Sequence, residues 1–361
     1  MGFATRSCFA SLSPYLHAHY TLVEEIGIGG SGFVLKVRRR GHLDVDREAP
    51  LALKVISRDR IPRQNLVRTG SWGFIPHGFE EHELGGVVVP TEAYCLRRLA
   101  GHPGVCAFHD LFADETFFYL VMEYHGESSP AVAQEPSLPP TPPISPLSAY
   151  APLSRTASDV NAVASTSALP VPPPPPPPPM VRRSSSDLFD WVERQQHLTE
   201  APARYIFHQL VHTACDLARV GVLHRDWKDE NITIDEKLRV KLVDFGSAVM
   251  FDPTGPPPVQ TEKRFYGTFT YAAPEVFSHA PYGMTQAEVW ALGVLLHVLL
   301  SSENPFRTPE DAVAGRRVKT CTLFSPLAKD LLDRCLTVDV DARISLDEIR
   351  AHPWVAGQWT S

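Results

Sequence analysis

Eight consecutive residues, HRDWKDEN from His224 to Asn231, hold one histidine, two basic side chains, three acids and an amide, with Trp227 as their large apolar member. A solvated surface turn needs none of that order. Residues of these types can do acid–base and electrostatic work: Asp226 can take the proton of an attacking hydroxyl, Lys228 can neutralise an anionic group in motion, and Asn231 can hold a cation through its amide oxygen. Further on, Asp244 opens the tripeptide Asp-Phe-Gly and offers a second hard oxygen donor for a divalent cation.

Two features nearer the N-terminus belong to the same chemistry. Gly27, Gly29 and Gly32 form G-x-G-x-x-G with Ile28 inside it and Val34 after it, between two strand-like runs. A strand-turn-strand of this kind lays glycine N–H groups over phosphates, whereas a dinucleotide fold wants a helix after the third glycine. Taken alone, the pattern fits a Gly-rich hairpin equally well. Lys54 sits in ALKV, a strand that reads as buried on both faces, so its ammonium calls for a partner, and Glu92 on the following helix is the natural one. The alternative is a lysine that snorkels to solvent. A merely charged hairpin at 224–231 would also have to account for the glycines, Lys54, DFG and AAPE in this order. Phosphoryl transfer accounts for all of them, because it needs little covalent help from protein and much fixed charge around magnesium and a triphosphate.

These residues need a scaffold. The runs YTLVEEIGIG, SGFVLKVRR, LALKVI and FFYLVMEY read as strands, with a polar, Gly-bearing insertion around 57–90 and one helix, TEAYCLRRLA, ended by Gly101. From Glu200 to Val220 apolar residues recur at three- and four-residue spacing, which predicts a helix stopped by Gly221, and ITID and VKLVDF follow as two short strands. Between these regions, residues 126–183 carry half of the chain's 34 prolines, one aromatic (Tyr150) and the run Pro172 to Pro179, so this stretch buries no core. Its octaproline predicts a polyproline II rod of roughly 25 Å. The expected organisation is an extension over 1–14, a strand-rich lobe over 15–125, the insertion, a helical lobe over 184–356 and a tail over 357–361.

With 361 residues, 43% of them hydrophobic, the chain can bury substantial cores. A net charge of −7 with scattered Lys and Arg argues against a nucleic-acid surface. Six cysteines lie far apart with no CxxC pair, which fits a reducing compartment better than zinc or a disulfide framework. Apolar runs such as ALGVLLHVLL are short for a membrane span, the N-terminus lacks a signal pattern, and Arg6 stands where myristoylation wants Ser or Thr. A cytoplasmic location with access to the nucleus is the expectation.

GIGGSGFV, ALKV, HRDWKDEN, DFG and AAPE together resemble the signature set of eukaryotic protein kinase catalytic domains. DLFDWVERQ, VDFGSA and LGVLLHVLLSSENPF are most similar to the calmodulin-kinase-like branch, in particular PAS-domain and Pim kinases. The resemblance implies an α+β, two-lobed fold and phosphorylation of Ser or Thr hydroxyls with ATP and Mg2+. It implies that Met122 is the gatekeeper behind the adenine, that the backbone of Glu123 to His125 bonds it, and that Val34 and Ala52 cover it. Glu275 would pair with Arg343, and Thr268 would contact the catalytic aspartate and lysine, a pattern that disfavours tyrosine as acceptor. Asp187, Asp190 and Glu230 would form an acidic patch for arginine upstream of the acceptor; Asp187 would alternatively reach the ribose or cap the next helix. Lost Lys54, Asp226 or Asp244 would have indicated a scaffold instead of a catalyst, and a small-molecule kinase would lack the AAPE-to-Arg343 arrangement.

Three departures qualify the resemblance. Glu288 stands where most such kinases brace the HRD backbone with aspartate, and the extra methylene predicts a looser brace. Arg264 occupies the position of the commonly phosphorylated threonine, so Arg225 either works without a phosphate or uses Thr261 or Glu262 as counter-group. The proline-rich insertion is a tether, a docking rod for SH3, WW or profilin-like domains, or a site of autophosphorylation at RRSSS and SRTAS.

Overall fold

The computed structural model describes residues 12–28, 32–40, 49–70, 72, 75–83, 85–126, 187–195, 198–261, 265–278, 280–319 and 324–357. The proline-rich segment and both arginine-directed serine clusters lie outside them. The described chain forms two compact units, one reaching Ala100 and resuming over Ala107–Tyr124, the other made of Gly101–Cys106 and of the residues from His125 onward.

The first unit opens with helix α1 (Pro14–His19), started by Pro14 and by the Ser13 hydroxyl, which accepts from the Tyr15 N–H. Strands β1 (Tyr20–Ile28), β2 (Gly32–Arg39), β3 (Leu51–Ser57), β6 (Phe108–Ala113) and β7 (Phe117–Glu123) make an antiparallel sheet in the order β1-β2-β3-β7-β6. Between β3 and β6 the chain adds a hairpin of β4 (Leu66–Thr69) and β5 (Val87–Pro90), then helix α2 (Thr91–Arg98). The polar stretch expected at 57–90 thus contains paired strands, and Trp72 within it is buried edge-on against Phe108.

Period-two alternation gives the sheet two different faces. Leu35, Val37, Leu53, Val55, Tyr119 and Val121 point one way and pack with Leu12, Leu16, Tyr20 and Phe112 into one apolar cluster. The other face carries the alternate positions: Val34 opposite Lys54, Ala52 opposite Met122. One face therefore holds the unit together and leaves the other for chemistry. Gly32 is required for a steric reason, since a Cβ there would sit 1.8 Å from the Val55 carbonyl oxygen.

The second unit is mainly helical. Helix α3 (Leu188–Gln195) and helix α4 (Glu200–Arg219) lead to β8 (Val222–Leu223), β9 (Ile232–Ile234) and β10 (Val240–Leu242), the last two paired antiparallel. Strand β11 (Val249–Met250) pairs with β8, and β12 (Val259–Gln260) pairs with β13 (Tyr282–Gly283). Helix α5 (Met284–Ser301) follows, then α6 (Pro309–Val313), α7 (Pro326–Cys335), α8 (Leu346–Ala351) and α9 (Pro353–Ala356). The helix predicted from Glu200 is α4; Gly221, at φ +76, ends it in the left-handed region that glycine adopts most readily. Helix α5 is longer than the run ALGVLLHVLL and apolar enough to cross a bilayer by composition, but most of it is buried in the unit, Glu288 and His297 included. Burial on all sides explains the missing polar face.

Candidate active site

In the first unit, the Lys54 ammonium donates to both carboxylate oxygens of Glu92, at 2.9 and 2.7 Å. Both side chains are largely buried, so each charge compensates the desolvation of the other. Glu92 owes its place to the first turn of α2, where a carboxylate also suits the helix dipole. Lys54 shares its sheet face with Val34, Ala52 and Met122. At the end of β7, Glu123 exchanges backbone and side-chain bonds with Ala107, and Lys36 lies 4.3 Å over the Tyr124 ring. Gly27 has open space on its Cβ side; Gly29 and the Ile28 side chain are outside the described residues.

The second unit gathers the loop before β9. The Asp226 carboxylate accepts from the Thr268 hydroxyl at 2.8 Å and from the Asn231 amide at 2.9 Å. Lys228 donates to Thr268 at 2.9 Å and stands 3.3 Å from Asp226 and 3.2 Å from Glu230. The Asn231 amide nitrogen also donates to the Asp226 carbonyl, so both of its hydrogens are directed at Asp226 and its oxygen is the end left for a cation. Asp244 takes up a left-handed backbone, φ 61, and caps the next turn by accepting from the Gly246 N–H. Two oxygen donors, Asn231 and Asp244, fit a hard cation such as magnesium.

Buried groups hold this loop in shape. His224 is fully buried against Phe245; its Nδ1 lies 3.3 Å from the Asp226 N–H and its Nε2 3.0 Å from the Val243 carbonyl. Those contacts require Nδ1 as acceptor and Nε2–H as donor, a neutral ring, and burial lowers its pKa in the same sense. Tyr271 donates to Asp229 at 2.9 Å in a buried bond that ties the loop to the segment before AAPE, a pair that sequence reasoning missed. Arg343 is 3% exposed and meets Glu275 through two bonds of 2.6 and 2.9 Å, with further bonds to the Thr337 and Gln286 carbonyls and the Trp290 ring beneath it. Asp187 accepts from the Asp190 N–H at 2.8 Å, so it caps α3, and it bridges to Thr233, whose hydroxyl lies 2.9 Å from His125 Nδ1.

The brace does not loosen as the extra methylene suggested: Glu288 accepts from the Arg225 N–H at 2.7 Å, because the longer side chain rises from a buried helix directly onto that nitrogen. Burial pushes its carboxyl up to about 7, while the bond from the Arg225 N–H pulls it down. The folded chain therefore binds this proton more tightly than the unfolded chain. The stabilisation that protonation brings is complete below the ordinary value of 4.5 and is lost as pH rises through 7. Glu288→Gln should flatten the profile: between pH 4.5 and 8 the parent should lose up to about 3 kcal/mol of unfolding free energy relative to the variant. Denaturant unfolding of both at several pH values checks this, and parallel profiles would contradict it.

Residues 180–355 match the model of the protein kinase domain. The chain is similar to serine/threonine-protein kinase prk-2 of Caenorhabditis elegans, 38% identical over 179 residues, which are 48% of this chain and 39% of that protein. It is similar to serine/threonine-protein kinase PSK2 of Saccharomyces cerevisiae, 38% identical over 172 residues, 47% of this chain and 15% of the relative. With the PAS domain-containing serine/threonine-protein kinase of Mus musculus it shares 37% identity over 175 residues, 48% and 12% of the respective chains. The matches thus span less than half the length of these relatives. The kinase domain match and these relatives agree on one likeness: over residues 180–355 the chain is similar to serine/threonine-protein kinases.

Proposed function

We propose that this chain transfers the γ-phosphoryl group of ATP to Ser or Thr hydroxyls of protein substrates. The observation that carries the reading is the cluster of Asp226, Lys228, Asn231 and Thr268, in which one carboxylate is oriented by two donors beside an ammonium. Asp226 orients the acceptor hydroxyl and takes its proton as the oxygen attacks phosphorus; Lys228 balances the charge of the group in transfer, and Thr268 keeps the two side chains in register. The Lys54–Glu92 pair holds an ammonium ready for nucleotide phosphates. Magnesium, held by Asn231 and Asp244, would neutralise charge that develops on the phosphates. Val34, Ala52 and Met122 supply an apolar face of the kind an adenine ring packs on.

In this reading the substrates carry basic residues upstream of the acceptor. Asp190 and Glu230 support it as acids on the loop and on the helix beside it, and Asp187 adds to it while capping α3. A peptide array with no preference for arginine would remove this part and leave the rest. The main test compares the parent with Asp244→Asn in autophosphorylation with labelled ATP and magnesium. The variant should lose about two orders of magnitude of rate or more, since a neutral amide is a poorer partner for a divalent cation. Equal incorporation in both would indicate a nucleotide-binding scaffold contaminated by another kinase.

A further inference from the structure

Arg225 is clamped at both ends by unmodified side chains. Its backbone N–H donates to Glu288, and its guanidinium Nη1 donates to the Gln260 side-chain oxygen at 3.3 Å while its Cζ lies 4.5 Å over the Tyr266 ring. Gln260 is 5% exposed. It sits in β12, opposite Tyr282 of β13, and β13 runs into α5, whose Met284 N–H donates to the Pro258 carbonyl at 3.0 Å. Glu288 is on that same helix. Backbone and guanidinium of Arg225 are thus referred to the start of one buried helix.

Arg225 has φ 67, a left-handed conformation that a side-chain-bearing residue keeps only when its surroundings over-determine it. The next residue is Asp226. The segment that carries Tyr266 lies directly against this turn: a Cβ on Gly267, at φ +131, would stand 2.6 Å from the Arg225 carbonyl oxygen and 3.6 Å from an Asp226 carboxylate oxygen. Any rotation of the Arg225 backbone therefore displaces Asp226 relative to Thr268 and Lys228. Elsewhere, phosphorylation of such a segment orders it by giving an arginine an anionic partner. Here the described contacts offer an amide oxygen, an aromatic face and the Glu288 carboxylate.

We infer that Gln260 is a positioning residue for Asp226, acting through Arg225, whose guanidinium its side-chain oxygen holds. The inference rests on the kinase reading of Asp226 and adds Gln260, where sequence reasoning had pointed to Thr261 or Glu262. Glu262 and Arg264 lie outside the described residues.

The experiment uses the full chain made in bacteria, treated with a phosphatase that is then removed, and assayed on a serine peptide with ATP and magnesium. Gln260→Ala should lower kcat about 10- to 100-fold, the scale of a small misplacement of a reacting group, with the KM for ATP little changed. Gln260→Glu should stay near the parent, because it keeps the acceptor, and Gln260→Lys should fall below Gln260→Ala. A merely structural role would move the melting temperature without this ordering by charge. Gln260→Ala with parental kcat overturns the inference. Loss in Glu262→Gln equal to that in Gln260→Ala would give the clamp to Glu262 and overturn it too. Parent without transfer before and after treatment would instead sink the kinase reading itself.

Discussion

Asp226→Asn should reduce kcat for peptide phosphorylation by about 10²- to 10⁴-fold, the range spanned by loss of a positioned general base. The substitution keeps the side-chain shape and removes the ability to take a proton. It also breaks the local donor–acceptor match. Asp226 accepts from Asn231 and Thr268 and faces Lys228, and an amide must turn its NH2 toward one of these donors. A modest loss of stability, about 1–3 kcal/mol, accompanies the change for that reason. Steady-state kinetics with varied ATP separate the two effects, because Lys54, Glu92 and Asp244 are untouched and the KM for ATP should stay near the parent's. A kcat within tenfold of the parent would mean that Asp226 is not the base.

The second large effect is on stability. Glu275→Ala should destabilise the second unit by about 3–5 kcal/mol, because it leaves the Arg343 guanidinium buried without its carboxylate. The Thr337 and Gln286 carbonyls and the Trp290 ring still receive that cation, so the value should fall toward the lower end. Thermal unfolding should then show a midpoint lower by about 10 °C. Combining Glu275→Ala with Arg343→Met should recover much of the loss, since an apolar side chain of similar reach removes the orphan charge. A single variant within about 1 kcal/mol of the parent would show that the pair is solvated in solution, contrary to its burial.

These tests probe links that the sequence exposes to different degrees. Chemical type and order along the chain were legible, because the proposed phosphoryl transfer constrains residue identity more than backbone shape: a carboxylate, an ammonium, an amide and a DFG carboxylate cannot be exchanged for one another. The four strands and the helix after residue 200 were legible too, since apolar alternation and three-to-four spacing report which face is buried. The Lys54–Glu92 contact followed from the cost of an uncompensated ammonium in a buried strand. The short helix α1 and strand β6 escaped, because their pattern is too brief to separate from an irregular stretch.

By itself, then, the sequence determined the types and order of the candidate reacting groups, the likeness to protein kinases and the period of the main elements. Only the tertiary structure decided which neutral or buried side chains aim those groups. Gln260 on Arg225, Tyr271 on Asp229 and the full reach of Glu288 to its backbone nitrogen depend on strand register and helix position among residues far apart in the chain. Asp187 shows the same division: its carboxylate was readable as acid, ribose contact or cap, and the fold turns it onto the Asp190 N–H. The physical reason is that charge and hydrogen-bonding capacity are properties of a residue, whereas a partner is a property of distance, which the chain acquires only on folding.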